Sequence, residues 1–228
     1  YKGISVLRCS HAAALSPTFV EYGAACALSN MDFTNMGEYH ETREEFSVEK
    51  ILTYIKKNMV MILCNPNNPT GSFIKLHDMQ FIADELKRKD SFLIVDEAFI
   101  EFTDDYPQNS MINLIDKYDN VIVIRAATKF FGMPGIRLGF AVTQASNLTE
   151  AIKSKLEPWN INTAAVIAGE TVFFDADYIK ASREWIKAER KYVYDRLKSM
   201  KQIKTYKSYA NYHLIKLLNL HMDAWQLK

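Results

Sequence analysis

Short apolar runs, each closed by turn-forming or polar residues and each followed by a helix-length segment, constrain this chain more than any other feature. Residues 12–15 end in Ser16-Pro17, and residues 60–64 end in Asn65-Pro66-Asn67-Asn68-Pro69-Thr70-Gly71. Residues 92–95 end at Asp96, residues 121–124 end at Arg125, and residues 138–142 form a further run. Apolar runs of this kind suit strands buried on both faces. Between them, residues 19–27 read as helical. Ser47 suits the cap of a helix carrying Val48, Ile51, Leu52 and Ile55. Leu76, Met79, Ile82, Ala83 and Leu86 repeat at helical spacing. Strand and helix in alternation predict β-α-β units, an α/β class and a mostly parallel sheet covered by helices.

After residue 145 helical patterns take over. From 178 to 200, Ile179, Ile186, Val193 and Met200 run beside Tyr178, Trp185 and Tyr192. That is the pattern of a long amphipathic helix whose stripe packs into a core. Residues 203–206 and 212–217 read as strands of a second, smaller unit. The expected division is a large domain over residues 1–177, then a connecting helix and the beginning of a small domain over 178–228.

Charge and composition remove several function classes. Lys+Arg is 28 and Asp+Glu 27, a net charge of +1, which leaves no basic footprint for nucleic acid. The longest apolar runs fall far short of the ~18 residues a membrane-spanning helix needs. Cys9, Cys26 and Cys64 are odd in number and scattered, which suggests neither a disulfide framework nor a Cys-x-x-Cys metal site. A reducing, cytoplasmic setting is the expectation. His11, His40, His77, His213 and His221 show no metal-ligand spacing. Gly132, Gly135 and Gly139 match neither the dinucleotide fingerprint nor a P-loop, and no Gly-x-Ser-x-Gly elbow exists.

Ligands of open α/β sheets collect outside the carboxyl ends of the strands. Three polar clusters are expected there: 65–71, Asp96-Glu97, and Arg125-Ala126-Ala127-Thr128-Lys129. Singly, each has an ordinary reading. Asn-Pro and Pro-Thr-Gly are turn chemistry, a carboxylate past a strand caps a helix, and a lone lysine is solvated. Together, at three strand ends and with Arg137 downstream, they carry a carboxylate, an amine and a guanidinium to one edge.

The same residues resemble the landmark motifs of the class I/II aminotransferases, pyridoxal-phosphate (PLP) enzymes of fold type I. The matching runs are 65–71, Asp96-Glu97-Ala98-Phe99, and 128–140 (TKFFGMPGIRLGF). The spacing agrees: 28 residues from Asn68 to Asp96, 33 from Asp96 to Lys129, and 8 from Lys129 to Arg137. The resemblance covers essentially the whole chain. It implies that Lys129 joins PLP as a Schiff base and carries the proton at the substrate Cα. It implies that Asp96 keeps the ring nitrogen protonated. A carboxylate ~3–4 Å from a pyridinium is worth about 4 kcal/mol at an effective dielectric of ~20. Asn68 would donate to the cofactor's phenolic oxygen, and Thr128 and Arg137 would hold its phosphate. Phe19 would stack on the ring, though a core aromatic is the competing reading. Phe99 occupies the place of a tyrosine whose hydroxyl would bond the phenolic oxygen.

Two members resemble the chain most: threonine-phosphate decarboxylase, of the cobalamin side-chain pathway, and histidinol-phosphate aminotransferase. Phe99, the lysine loop, Phe19-Val20-Glu21-Tyr22-Gly23 and Glu157-Pro158-Trp159-Asn160-Ile161-Asn162 resemble the decarboxylase more. The resemblance further implies a homodimer and a small, phosphorylated amino-acid substrate; charge, apolar-run length and the Cys and His spacings lead to no expectation of nucleic acid, membrane or metal. Ala126 and Ala127 stand where relatives often carry a phosphate-binding hydroxyl. A glycine-containing phosphate loop would precede Tyr1 and a substrate-carboxylate arginine would follow Lys228, so a partial chain is expected. An inactive relative serving as a binding or dimerisation module is the alternative of another class.

Overall fold

The computed structural model describes residues 2–37, 47–218, 223, 225 and 226. His40 and His221 lie outside them. After a short helix α1 (Lys2–Ser5), the chain runs β1 (His11–Ser16), α2 (Glu21–Leu28), β2 (Asp32–Gly37), α3 (Val48–Thr53), β3 (Met59–Cys64), α4 (Leu76–Arg88) and β4 (Phe92–Asp96). Two 3₁₀ turns, Ile100–Phe102 and Met111–Lys117, lead to β5 (Val121–Ala126), α5 (Ala127–Phe130) and β6 (Gly139–Val142). Helices α6 (Ser146–Lys153), α7 (Thr163–Val172) and α8 (Ala176–Lys198) follow, then β7 (Ile203–Thr205) and β8 (Ile215–Leu217).

The first six strands form one sheet in the order β2-β1-β3-β4-β5-β6. All neighbours are parallel except β5 and β6, which are antiparallel. Strand alternation divides the side chains between two cores. Met59, Met61 and Leu63 of β3 and Leu93 and Val95 of β4 face α3 and α4, where Ile51, Ile82 and Leu86 meet them. Val60, Ile62 and Cys64 of β3 and Ile94 of β4 face the other way, toward Tyr22 and Cys26 of α2 and Leu148 of α6. Ser47 caps α3, its hydroxyl accepting the Lys50 N–H at 3.4 Å.

Four sequence expectations change. Residues 138–142 do not form a strand buried on both faces: β6 pairs antiparallel with β5 at the sheet edge, and Gly139, Phe140 and Ala141 are exposed. Strand β2 (DFTNMG) is added at the sheet edge, where Met36 is its one buried residue. A polar run with one buried side chain carries no strand-like apolar pattern, so only pairing with β1 makes it a strand. The second helix begins at Glu21 rather than Phe19. On α8 Ile186 is buried and Ile179 and Val193 are half-buried, and the partly exposed Tyr178 stacks on Phe131, whereas Trp185 and Tyr192, and Met200 past the helix end, are exposed. No helix of the described residues is long and apolar enough to cross a membrane.

Leu93 is fully buried at the centre of the sheet. Leu93→Ala should lower unfolding stability by about 2–5 kcal/mol in denaturant titration, because the close-packed layer between β4 and α4 cannot collapse into the vacated volume. A loss below ~1 kcal/mol would contradict this packing.

Candidate active site

Register builds the site. Cys64 pairs with Asp96 and Asp96 with Ile124, so β3, β4 and β5 finish side by side. The exits continue the ladder: the Asn65 N–H donates to the Asp96 carbonyl at 2.8 Å, and the Glu97 N–H to the Ile124 carbonyl at 2.9 Å. Alternation then sends Asp96 to the α2 side and Glu97 to the opposite side.

On the α2 side the Tyr22 hydroxyl donates to Asp96 Oδ2 at 2.7 Å, and the Ala98 N–H to Oδ1 at 3.0 Å. Burial pushes the Asp96 carboxyl above the usual carboxylate range, against those two bonds and the charge of Lys129, which pull it down. Beside it, burial pushes the Cys64 thiol up to about 12, aided by the Asp96 charge. The Cys64 thiol donates to the Pro66 carbonyl at 3.3 Å. Asn68 is half-buried, and its side-chain amide makes no hydrogen bond among the described residues.

On the opposite side Glu97 accepts from the Ser110 hydroxyl at 2.6 Å and the Met111 N–H at 2.7 Å. Arg125, buried at the end of β5, reaches Glu97 at 3.2 Å, Glu101 at 2.5 Å and the Tyr106 hydroxyl at 2.9 Å. Burial raises both glutamates, and Arg125 opposes it. These bonds join the exit of β4 to the exit of β5.

Thr128 and Lys129 lie in α5, the turn that leaves β5. Lys129 is exposed at its tip, with Nζ 5.7 Å from the centre of the buried Phe99 ring. A cavity of about 670 Å³ opens alongside, lined by Phe19, Tyr22, Ile62, Ile94, Thr128 and Arg137 among others. Phe19 is 43% exposed there and meets the Tyr22 ring edge-on at 5.6 Å. Arg137 is exposed and left-handed (φ 60°), its guanidinium donating to the Pro134 carbonyl at 3.0 Å.

The structure therefore gathers Asn68, Asp96, Phe99 and Lys129 at one sheet edge, with Phe19, Thr128 and Arg137 around the adjoining cavity. Asn68, Asp96 and Lys129 do not line that cavity; Tyr22 connects the two groups. No sequence motif marks Tyr22 as a partner of Asp96. The available signal was a phenol three residues after Phe19 on the apolar face of a helix.

The aminotransferase class I and II family model matches residues 7–227. The chain is 34% identical over 202 or more aligned positions to relatives including "Histidinol-phosphate aminotransferase" of Clostridium novyi, matched over 215 residues, 88% of this chain and 58% of the relative. It is 30% identical over 213 residues to "Threonine-phosphate decarboxylase" of Salmonella typhimurium, 93% of this chain and 58% of that one. The solved histidinol-phosphate aminotransferase of Clostridium acetobutylicum superposes with TM-score 0.88 at 33% identity, over 96% of this chain and 65% of that chain. The chain thus spans a little over half the length of these curated relatives.

Tyr22→Phe removes the donor that favours the charged form of Asp96, so the Asp96 titration should move further up. Ionising a carboxyl whose folded-state pKa is raised costs stability as pH rises through that pKa. The stability gap between wild type and Tyr22→Phe should therefore widen to about 1.5–3 kcal/mol above the Asp96 titration and shrink below it. Denaturant titrations across pH test this; a gap that does not vary with pH would contradict the pairing.

Proposed function

The chain belongs to the aminotransferase class I and II family, and on that premise we propose that it is a PLP enzyme acting at the Cα of a small phosphorylated amino acid or amine, most like threonine-phosphate decarboxylase. Its fold, a mostly parallel sheet flanked by helices, is that of fold type I. The convergence of Asn68, Asp96 and Lys129 at the carboxyl ends of three adjacent strands carries this reading.

The residues fit the cofactor. Asp96 is a carboxylate raised by burial, and among the described residues Lys129 supplies the favourable charge acting on it. Such a group gains from a partner that brings a proton and a positive charge. The Asn68 amide has its donors unfilled by the described residues. PLP supplies, when bound, an electron sink for the bond broken at Cα. Lys129 anchors it and moves the proton at Cα. Asp96, held by Tyr22 and the Ala98 N–H, keeps a proton on the ring nitrogen. Asn68 donates to the phenolic oxygen, Thr128 and Arg137 bind the phosphate, and Phe19 covers the ring face.

Phe99 supports the decarboxylase reading. Histidinol-phosphate aminotransferase is the second reading, favoured by the close structural likeness to the Clostridium acetobutylicum protein. We also propose a homodimer, supported by the exposed apolar side chains Trp159, Ile161, Val166, Ile167 and Phe174. A domain boundary at 177/178 is proposed in turn, supported by the start of α8 and the two-stranded β7–β8 sheet after it.

Incubation of the purified protein and PLP with threonine phosphate should release carbon dioxide. Histidinol phosphate with 2-oxoglutarate should yield little glutamate. Glutamate formation without carbon dioxide release would replace the first reading by the second. Asp96→Asn should retain PLP yet lose about two to three orders of magnitude in turnover, from loss of the ion pair. Near-normal turnover would remove Asp96 from the role.

A further inference from the structure

We propose that Tyr212 is a positioning residue of the cofactor site, fixing the Asn67 backbone and thereby the aim of Asn68. The proposal rests on the PLP reading above. Tyr212 lies in the loop between β7 and β8, more than 140 residues from Asn68 along the chain. Its hydroxyl donates to the Asn67 carbonyl at 2.9 Å.

Asn67 is buried, and its other polar groups are engaged. Its amide donates to the Pro17 carbonyl and to Thr70 Oγ1, both at 2.9 Å, and its Oδ1 accepts from the Thr18 hydroxyl at 2.9 Å. Its N–H donates to the Ser72 carbonyl at 2.9 Å, and its carbonyl also accepts the Gly71 N–H at 2.7 Å. The Tyr212 hydroxyl fills the second acceptor position of that carbonyl. The peptide that leads into Asn68 is thereby held by two hydrogen bonds at its carbonyl, while the Asn68 side chain makes none among the described residues.

The neighbouring backbone shows that this loop is seated closely. The Tyr209 N–H donates to the Gly71 carbonyl at 2.7 Å. Gly71 is at φ +70°, and a Cβ there would lie 2.2 Å from Ser208 Oγ and 3.0 Å from Ser208 Cα. Only glycine admits both that conformation and that approach. The Tyr212 ring meets Phe99 edge-on, with centroids 5.1 Å apart and planes at 87°. Phe99 in turn faces the Lys129 ammonium. Where typical aminotransferases carry a tyrosine this chain has Phe99; the phenol in this cluster is that of Tyr212. One side chain from beyond α8 thus touches both the Asn67-Asn68 loop and the loop leaving β4.

The test compares wild type, Tyr212→Phe, Asn68→Ala and the double variant, with PLP as the probe. Tyr212→Phe keeps the ring contact with Phe99 and loses only the hydroxyl. It should weaken PLP binding about tenfold, the equivalent of about 1.4 kcal/mol. A hydrogen bond to the deprotonated phenolic oxygen favours that form, so a misaimed Asn68 should move the pH titration of the bound cofactor's visible absorbance upward. In the Asn68→Ala background the Tyr212→Phe change should add nothing to either readout. An unchanged affinity and a superimposable titration, with only a lower melting temperature, would reduce Tyr212 to a structural contact and overturn the proposal. Additive effects in the double variant would overturn it as well. Failure of wild type itself to take up PLP would overturn the PLP reading and this proposal together, which separates that case from the others.

Discussion

A buried guanidinium holds the working edge of the sheet together. Arg125 is the last residue but one of β5, and Glu97 and Glu101 follow β4; the three meet on the face opposite Asp96, with contacts of 3.2 and 2.5 Å. Removing one partner from such a cluster leaves an uncompensated buried charge, at a cost of about 3–5 kcal/mol. Its position matters more than its contribution to stability. Glu97 is adjacent in sequence to Asp96, and Arg125 lies three residues before Thr128. Fixing one pair therefore sets the distance between the carboxylate and the amine that the proposed chemistry needs.

Helix α8 and the segment that follows it complete this edge. Phe99, Phe102 and Phe130 pack with Ile186 of α8 and with Ala210. Arg190 of α8 donates to the Phe102 carbonyl at 2.7 Å and to Asp104 at 2.6 Å, fastening the helix to the turn that follows Asp96. The strand ends thus have the sheet behind them, the Arg125 cluster on one side, and the β7–β8 loop across the front. Order at the site comes from these three layers together, since Lys129 itself is exposed.

Much of this was legible in the sequence, for identifiable reasons. Strands β3 and β4 are buried on both faces, and β5 is so from Val121 to Val123, so they are written as unbroken apolar runs. Helix α4 buries Met79, Ile82, Ala83 and Leu86 at the spacing that announced it. The polar clusters at strand ends were visible because a strand end is marked in sequence as well as in space. Strand β2 was not legible, because an edge strand with one buried residue is specified by its neighbour. Trp185 and Tyr192 looked like core residues but are 63% and 58% exposed, since periodicity identifies a face and not what covers it. The bonds of Tyr22 to Asp96 and of Tyr212 to Asn67 span 74 and 145 residues, and no local pattern encodes them.

The central claim, that the three strand ends form a PLP site with Lys129 as its anchor, is tested most directly by chemical trapping. The purified protein loaded with PLP is reduced with borohydride, digested, and its peptides mapped by mass. The cofactor's added mass should appear on the peptide containing Lys129. Labelling confined to any other lysine, or no labelling of a folded protein, would contradict it.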